Sequence, residues 1–208
     1  MIQPYEFNDV KKQITQLIDI YKTVNDKDTI MTSQAITTNH ILPILGEELH
    51  ESIRVAYLDV RLTNQKALPI FERIKEEVIP FKDVSDKQIE KSFKKVKKLK
   101  FPQLADYDLK ETNYLAWDDI GTQRKYLSFY SEDKLVSVYG IMSNDVIKNV
   151  CAICQKIDNV ALFMATTKRS GDGTYTKKGN YICKDSQKCN RQMETLKHLH
   201  SFYETVSK

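Results

Sequence analysis

Cys151 and Cys154 stand two residues apart, Cys183 and Cys189 are separated by five, and no other cysteine occurs among the 208 residues. A two-residue gap lets one tight turn aim both thiolates at the same ion, and four thiolates complete the ligand set of a closed zinc site. Two disulfides would use the same four side chains. The polar stretch from Met1 to Val10 lacks the apolar run of a secretory leader. A reducing, cytoplasmic setting is therefore expected, where thiols stay free for metal. The reading is one structural zinc ion held by Cys151, Cys154, Cys183 and Cys189.

Such a centre carries a formal charge of about −2, which backbone N–H groups and nearby cations offset. Lys156, Lys184 and Lys188 are placed in sequence to contribute. With every position closed, the ion organises the chain and performs no chemistry. His198 and His200 are two residues apart, on different sides of a helix, and read as surface residues. Enzyme signatures fail in turn. His50-Glu51 opens like a zinc-protease helix, but the residue four after His50 is Arg54. Nucleophile-elbow, phosphate-loop and dinucleotide motifs do not occur, and cysteines committed to metal leave none as nucleophile. The expectation is a chain that is not an enzyme and takes no small-molecule substrate.

The first 80 or so residues repeat apolar side chains every three or four positions, the period of helices with one buried face. One stripe is Phe7, Val10, Ile14, Leu17, Ile18 and Tyr21; a second is Ile36, Ile41, Ile44 and Leu45, with Pro43 bending or ending it. A third runs from about Glu48 through Ile53, Ala56, Tyr57 and Val60. The fourth uses Leu68, Phe71, Ile74 and Val78, with Thr63 or Asn64 as its cap. Short links between them favour an antiparallel bundle. Pro80 breaks the pattern, and Ser85 with Gln88 gives a capping box that starts another helix.

Beyond Pro102 the period changes to that of strands: Tyr114 to Trp117, Lys125 to Tyr130, Leu135 to Ile141, Val160 to Ala165 and Thr174 to Ile182. Gly121-Thr122, Glu132-Asp133 and Ser170-Gly171-Asp172-Gly173 supply turns. A final helix capped by Asp185 or Ser186 carries Cys189 early and buries Met193, Leu196, Leu199, Tyr203 and Val206. Knuckle, hairpin and ligand-bearing helix make the layout of a treble clef. The fold class is α+β: an N-terminal antiparallel helical bundle over residues 1–83, then an α/β domain over 84–208 with antiparallel strands and a four-cysteine treble-clef-like zinc finger.

Charge points to a binding role. Net charge is +4, yet residues 1–84 hold 10 basic and 13 acidic side chains, leaving the rest at +7. No apolar run approaches bilayer length, so no membrane role is expected. Lysines at 87, 91, 94, 95, 97, 98 and 100 against Asp86 and Glu90 give a run of net +5. A zinc-finger RNA-binding protein gripping phosphates through Lys94–Lys100 is the alternative this raises; a solvated helix face is the plain one. Trp117 and the strand tyrosines read as sheet packing. Lys178, Tyr181 and Phe202 offer the cationic and aromatic composition of a protein contact patch.

The segments Tyr21-Lys22-Thr23-Val24-Asn25-Asp26-Lys27, Phe93 to Lys98, Arg124-Lys125-Tyr126, Val138-Tyr139-Gly140, Leu162-Phe163-Met164 and Lys177 to Cys183 together resemble the FusB/FusC family over nearly the whole chain. Its members bind the translocase elongation factor G and confer fusidic acid resistance. The resemblance implies a helical bundle, a zinc-finger domain that grips the C-terminal domains of elongation factor G, and release of that factor from drug-stalled ribosomes without catalysis. It implies indirect contact with the ribosome and a monomer. It places contacts at Lys178, Tyr181 and Phe202. The family has an aromatic residue directly before the first zinc cysteine, where this chain has Val150, so less area is available there, at a cost of about 1 to 2 kcal/mol if covered.

Overall fold

The computed structural model describes residues 1–93, 96, 99–169 and 175–207, with the backbone alone for 166–169, 175 and 176. The chain divides into two compact units, Met1–Pro80 and Phe81–Lys208.

The first unit is helical. Pro4 in the first turn and a Gln3/Glu6 capping box start α1 (Pro4–Thr23), in which Glu6 accepts the Gln3 N–H at 2.7 Å. Asp26 caps α2 (Lys27–Leu45), accepting the Thr29 N–H at 2.7 Å. Gly46, at φ 75°, closes α2 and begins α3 (Glu47–Leu58). That left-handed angle is cheap only for glycine, so a single residue makes the turn. Pro43 lies in the last turn of α2 and does not divide it. α4 (Leu68–Glu76) follows. Ile2, Phe7, Ile14, Leu17, Ile41, Tyr57 and Ile74 form the core.

Several expectations shift by one residue. Ile36 is 63% exposed, because the buried face of α2 runs through Thr37, Ile41 and Leu45, spaced by four. Ala56 and Val60 also face outward. Leu68 is exposed while Ala67, at the helix start, is buried. Thr63 does not cap α4: its hydroxyl accepts the Lys66 N–H in the preceding turn.

In the second unit, Ser85 caps α5 (Asp86–Ser92) through the expected box with Gln88. α5 stops at Ser92; Lys94, Lys95, Lys97 and Lys98 of the basic run lie outside the described residues, as does the turn Ser170–Gly173. The strands β1 (Leu115–Asp119), β2 (Arg124–Ser131), β3 (Lys134–Val150), β4 (Ile157–Arg169) and β5 (Tyr175–Cys183) form one antiparallel meander in sequence order. The first turn reverses at Gln123, φ 53°, rather than at Gly121, and the second at Glu132, φ 55°.

Alternation gives the sheet two different faces. Trp117, Tyr126 and Tyr139 stand opposite one another on β1, β2 and β3. Their rings stack at 5.5 and 5.7 Å, and Phe93 meets Trp117 edge-on. The reverse face carries Ala116, Leu127, Phe129 and Phe163 against the C-terminal helices. Those helices are two: α6 (Ser186–Gln192), capped by Asp185, and α7 (Lys197–Ser207). The expected single helix breaks at Met193, whose backbone is extended and whose side chain is fully buried.

Gly140 marks a pinch between β3 and β4. A Cβ there would lie 2.6 Å from the Met164 carbonyl oxygen and 2.7 Å from the Phe163 ring. Gly140→Ala should therefore lower the stability of this unit by about 1–3 kcal/mol. Urea unfolding followed by Trp117 fluorescence, the chain's sole tryptophan, measures it.

Candidate metal centre and partner surface

Three pieces of chain deliver the four cysteines. Cys151 and Cys154 flank the knuckle between β3 and β4, Cys183 ends β5, and Cys189 sits in the first turns of α6. Within the knuckle the Cys151 N–H donates to the Lys156 carbonyl and the Gln155 N–H to the Cys151 carbonyl. Gln155 adopts φ 59°, an unfavourable angle for a residue with a Cβ. Its side-chain amide offsets this by donating to the Cys151 and Ala152 carbonyls.

All four sulfurs lie within 4.8 Å of one another and all four residues are buried. Cys151 and Cys189 are 3.8 Å apart and Cys154 and Cys183 3.7 Å, too long for a disulfide, whose sulfurs lie about 2.05 Å apart. They match the edge of a tetrahedron whose centre is about 2.3 Å from each corner, roughly 3.8 Å. The sulfurs therefore fit one zinc ion, which would offset half of their charge and lock the three pieces together. His198 and His200 stand apart from this group; the His200 ring meets Phe129 edge-on at 5.2 Å.

Negative charge at the sulfurs is met mainly by N–H groups. The Ile153 and Cys183 amides both donate to the Cys151 sulfur at 3.3 Å. Hydrogen bonds from the other three sulfurs hold the Cys151 thiol well below the usual thiol range. Those same contacts push Cys183 and Cys189 up, because further thiolates beside the first are disfavoured. A cation at the centre removes that conflict. The flanking lysines act at one remove: Lys156 pairs with Glu194, and Lys188 with Asp158.

The buried Asp158 carboxylate also accepts from Gln192 at 3.0 Å and the Asn159 N–H at 2.8 Å. The Lys188 contact first, then these, hold its pKa at about 2. The bridge ties β4 to α6.

Two supports of the centre escape sequence reasoning. Tyr114 is wholly buried and hydrogen-bonds Cys189; burial, then that neighbour, pushes its hydroxyl far above the ordinary tyrosine range. Asn190 accepts the Asn113 and Tyr114 N–H groups at 2.7 and 3.0 Å. Its own amide donates to the Tyr114 and Ser186 carbonyls at 2.9 and 3.0 Å. Neither has a sequence signal beyond proximity to a cysteine or a strand. Lys125, 1% exposed, adds a third tie, from β2 to Asp118 and to Ser186 at the head of α6.

The expected contact residues divide. Lys178 is exposed and Tyr181 half-buried on β5, an edge strand. Three positions separate them, so alternation sends the side chains to opposite faces of that edge. Val150 is 45% exposed and stands directly across from Ile157, which is 74% exposed and which the sequence does not single out. Phe202 requires correction. It is 3% exposed, with its ring 5.6 Å from Phe163, so it supports the sheet from inside and offers no free face. A helical residue four positions from Val206 and three from Leu199 belongs to the buried stripe of α7.

Elsewhere in this unit an open cleft of about 570 Å³ lies beside Lys82, Lys91, Tyr130, Lys134 and Tyr139. Asp133 is its one carboxylate among the described lining residues, so no pair of carboxylates converges there. In the helical unit His50 is buried and its Nε2 shares a hydrogen bond with the Tyr57 hydroxyl at 2.7 Å. No helix among the described residues is long and apolar enough to cross a membrane.

Comparison with known proteins follows the same division. Residues 1–82 match the family model described as elongation factor G-binding protein, N-terminal, and residues 87–206 match the FBP C-terminal treble-clef zinc-finger. No curated protein matches the chain. A solved structure described as that of the fusidic acid resistance protein FusC superposes with a TM-score of 0.94 at 36% identity. The alignment covers 100% of this chain and 98% of that one. With both halves matched and the four sulfurs gathered as a treble-clef finger requires, the chain belongs to the family of elongation factor G-binding proteins with a C-terminal zinc finger.

Proposed function

We propose that this protein binds elongation factor G through the exposed rim of its zinc-finger unit and hastens departure of that factor from ribosomes stalled by fusidic acid. The observation that carries the reading is the full-length similarity to FusC, a fusidic acid resistance protein, at 36% identity. Lys178 and Tyr181 on the edge of β5 and Val150 with Ile157 beside the knuckle form the proposed grip. The C-terminal domains of elongation factor G are the proposed target. One copy acts in the cytoplasm, and the ribosome is reached only through the factor.

The action is conformational and involves no bond chemistry. A metal with four protein ligands has no position open to substrate. A partner that prefers the released conformation of the factor weakens its hold on the ribosome by the coupling free energy between the two associations. The drug need not be touched.

Titration calorimetry of the full chain against purified elongation factor G tests this. Lys178→Glu and Tyr181→Ala are each expected to weaken the complex by roughly 10-fold or more, about 1.4 kcal/mol, with zinc content unchanged. Wild-type protein should also shorten the residence of the factor on fusidic acid-stalled ribosomes, and both variants should lose that effect in proportion. A tight complex indifferent to both changes would place the grip elsewhere; absence of any complex would sink the proposal.

A further inference from the structure

β2 accompanies β3 only as far as Arg124 opposite Ile141, whereas β3 continues to Val150. Past that point β3 is paired with β4 on one side and, among the described residues, has no strand on the other. A register shift between Met142 and Val146 opens the free segment. Residues 144–150 are exposed throughout, including Val146, Ile147 and Val150.

The hydrogen-bond phase of this segment is fixed at the knuckle. The Cys151 N–H donates to the Lys156 carbonyl. Opposed residues in an antiparallel pair alternate between exchanging bonds and not, so Asn149 and Ile147 turn their polar groups toward β4. Val146, Lys148 and Val150 turn theirs to the open side. Asn149 Oδ1 accepts the Val150 N–H at 2.8 Å; among the described residues no strand meets those of Val146 and Lys148.

An apolar edge of this kind invites pairing unless guarded. The guard here is selective. Val146, Lys148 and Val150 share one face, and their neighbours on β4 are Ala161, Asn159 and Ile157, none of them acidic. Self-pairing centred on Lys148 would set it against its own copy, which like charge disfavours. A carboxylate in the same place would be favoured.

We propose that the free edge Val146–Val150 accepts an added antiparallel strand from the protein's partner: an extended segment with a carboxylate opposite Lys148 and apolar side chains two residues to either side. Main-chain hydrogen bonds give such an addition its strength, and the alternating side chains give it selectivity. Ile157 enlarges the apolar surface beside Val150 on the same face. This rests on the function proposed above only for which protein supplies the strand.

Amide hydrogen exchange of the full chain tests it, read alone, with purified elongation factor G, and with the peptide acetyl-Thr-Val-Thr-Glu-Thr-Val-Thr-amide. Exchange at Val146 and Lys148 is expected to slow by roughly 10-fold or more in both mixtures, while Ile147 and Asn149, already bonded to β4, change little. Lys148→Glu should weaken the peptide by roughly 5-fold and favour its lysine-centred counterpart by a similar factor. A factor complex that leaves Val146 and Lys148 unprotected overturns the edge while the partner reading stands. Charge-selective protection by the peptide without any factor complex supports the edge and removes the partner. Protection in neither mixture, or protection that grows with protein concentration alone and so marks a second copy, overturns the inference.

Discussion

Chelation of the metal unfolds residues 81–208 and leaves residues 1–80 helical: that is the expected result of adding a strong zinc chelator to the full chain. The four cysteines are 0 to 5% exposed and share one core with Ile153, Val160, Met193 and Leu199. Without an ion that core must bury either several thiolates against one another or polar thiols lacking partners, and the ties between the knuckle, β5 and α6 loosen together. Structural zinc contributes about 10–16 kcal/mol in small fingers, as much as the whole stability of a typical domain. The helical unit has a core of its own and no share in the metal. Trp117 fluorescence reports the first event and residual helical circular dichroism the second. Cys189→Ser should reproduce the outcome without chelator. A chelated protein that keeps native Trp117 emission and native stability would show the ion to be dispensable.

The second large effect is expected at Asn190. One buried carboxamide satisfies the amides of Asn113 and Tyr114 and the carbonyls of Tyr114 and Ser186. Asn190→Ala strands those backbone groups where water does not reach, at about 1–3 kcal/mol apiece. A total loss of about 3–5 kcal/mol is expected, since the groups relax together. Asn190 sits beside Cys189 and ties that turn of α6 to Tyr114, so zinc affinity should fall in the same variant. Urea denaturation of zinc-loaded protein, with a competitive metal indicator in parallel, separates the two losses. A variant within about 0.5 kcal/mol of wild type would mean that water replaces the side chain.

What could be read beforehand follows from how local each signal is. The capping box at Ser85 and the Cys151-x-x-Cys154 knuckle are complete within four residues, and both form as expected. The stripe of α1 is dense enough to fix its phase, whereas that of α2 is sparse, and Ile36 and Thr37 compete for one place on it. The choice goes to Thr37 because packing, not hydropathy, decides a single turn. Phe202 shows the same limit in the site: aromatic character marks a contact residue and a core residue equally, and only the register of α7 against β4 separates them. Tyr114 and Asn190 draw their roles from chain segments far away in sequence, so no window around them carries the information.

The knuckle has one more consequence, for the order of assembly. Its turn is held by main-chain and Gln155 hydrogen bonds that involve no sulfur, so the first pair of ligands is poised before any ion arrives. The second pair is brought by β5 and α6, which find their places only once β5 has paired with β4. Capture by a ready half-site, then closure by the remainder, makes the rate of maturation in a cell depend on free zinc at the moment of synthesis. Freshly made chains would then compete for metal as bidentate chelates, and scarcity would delay the protein before it weakened it.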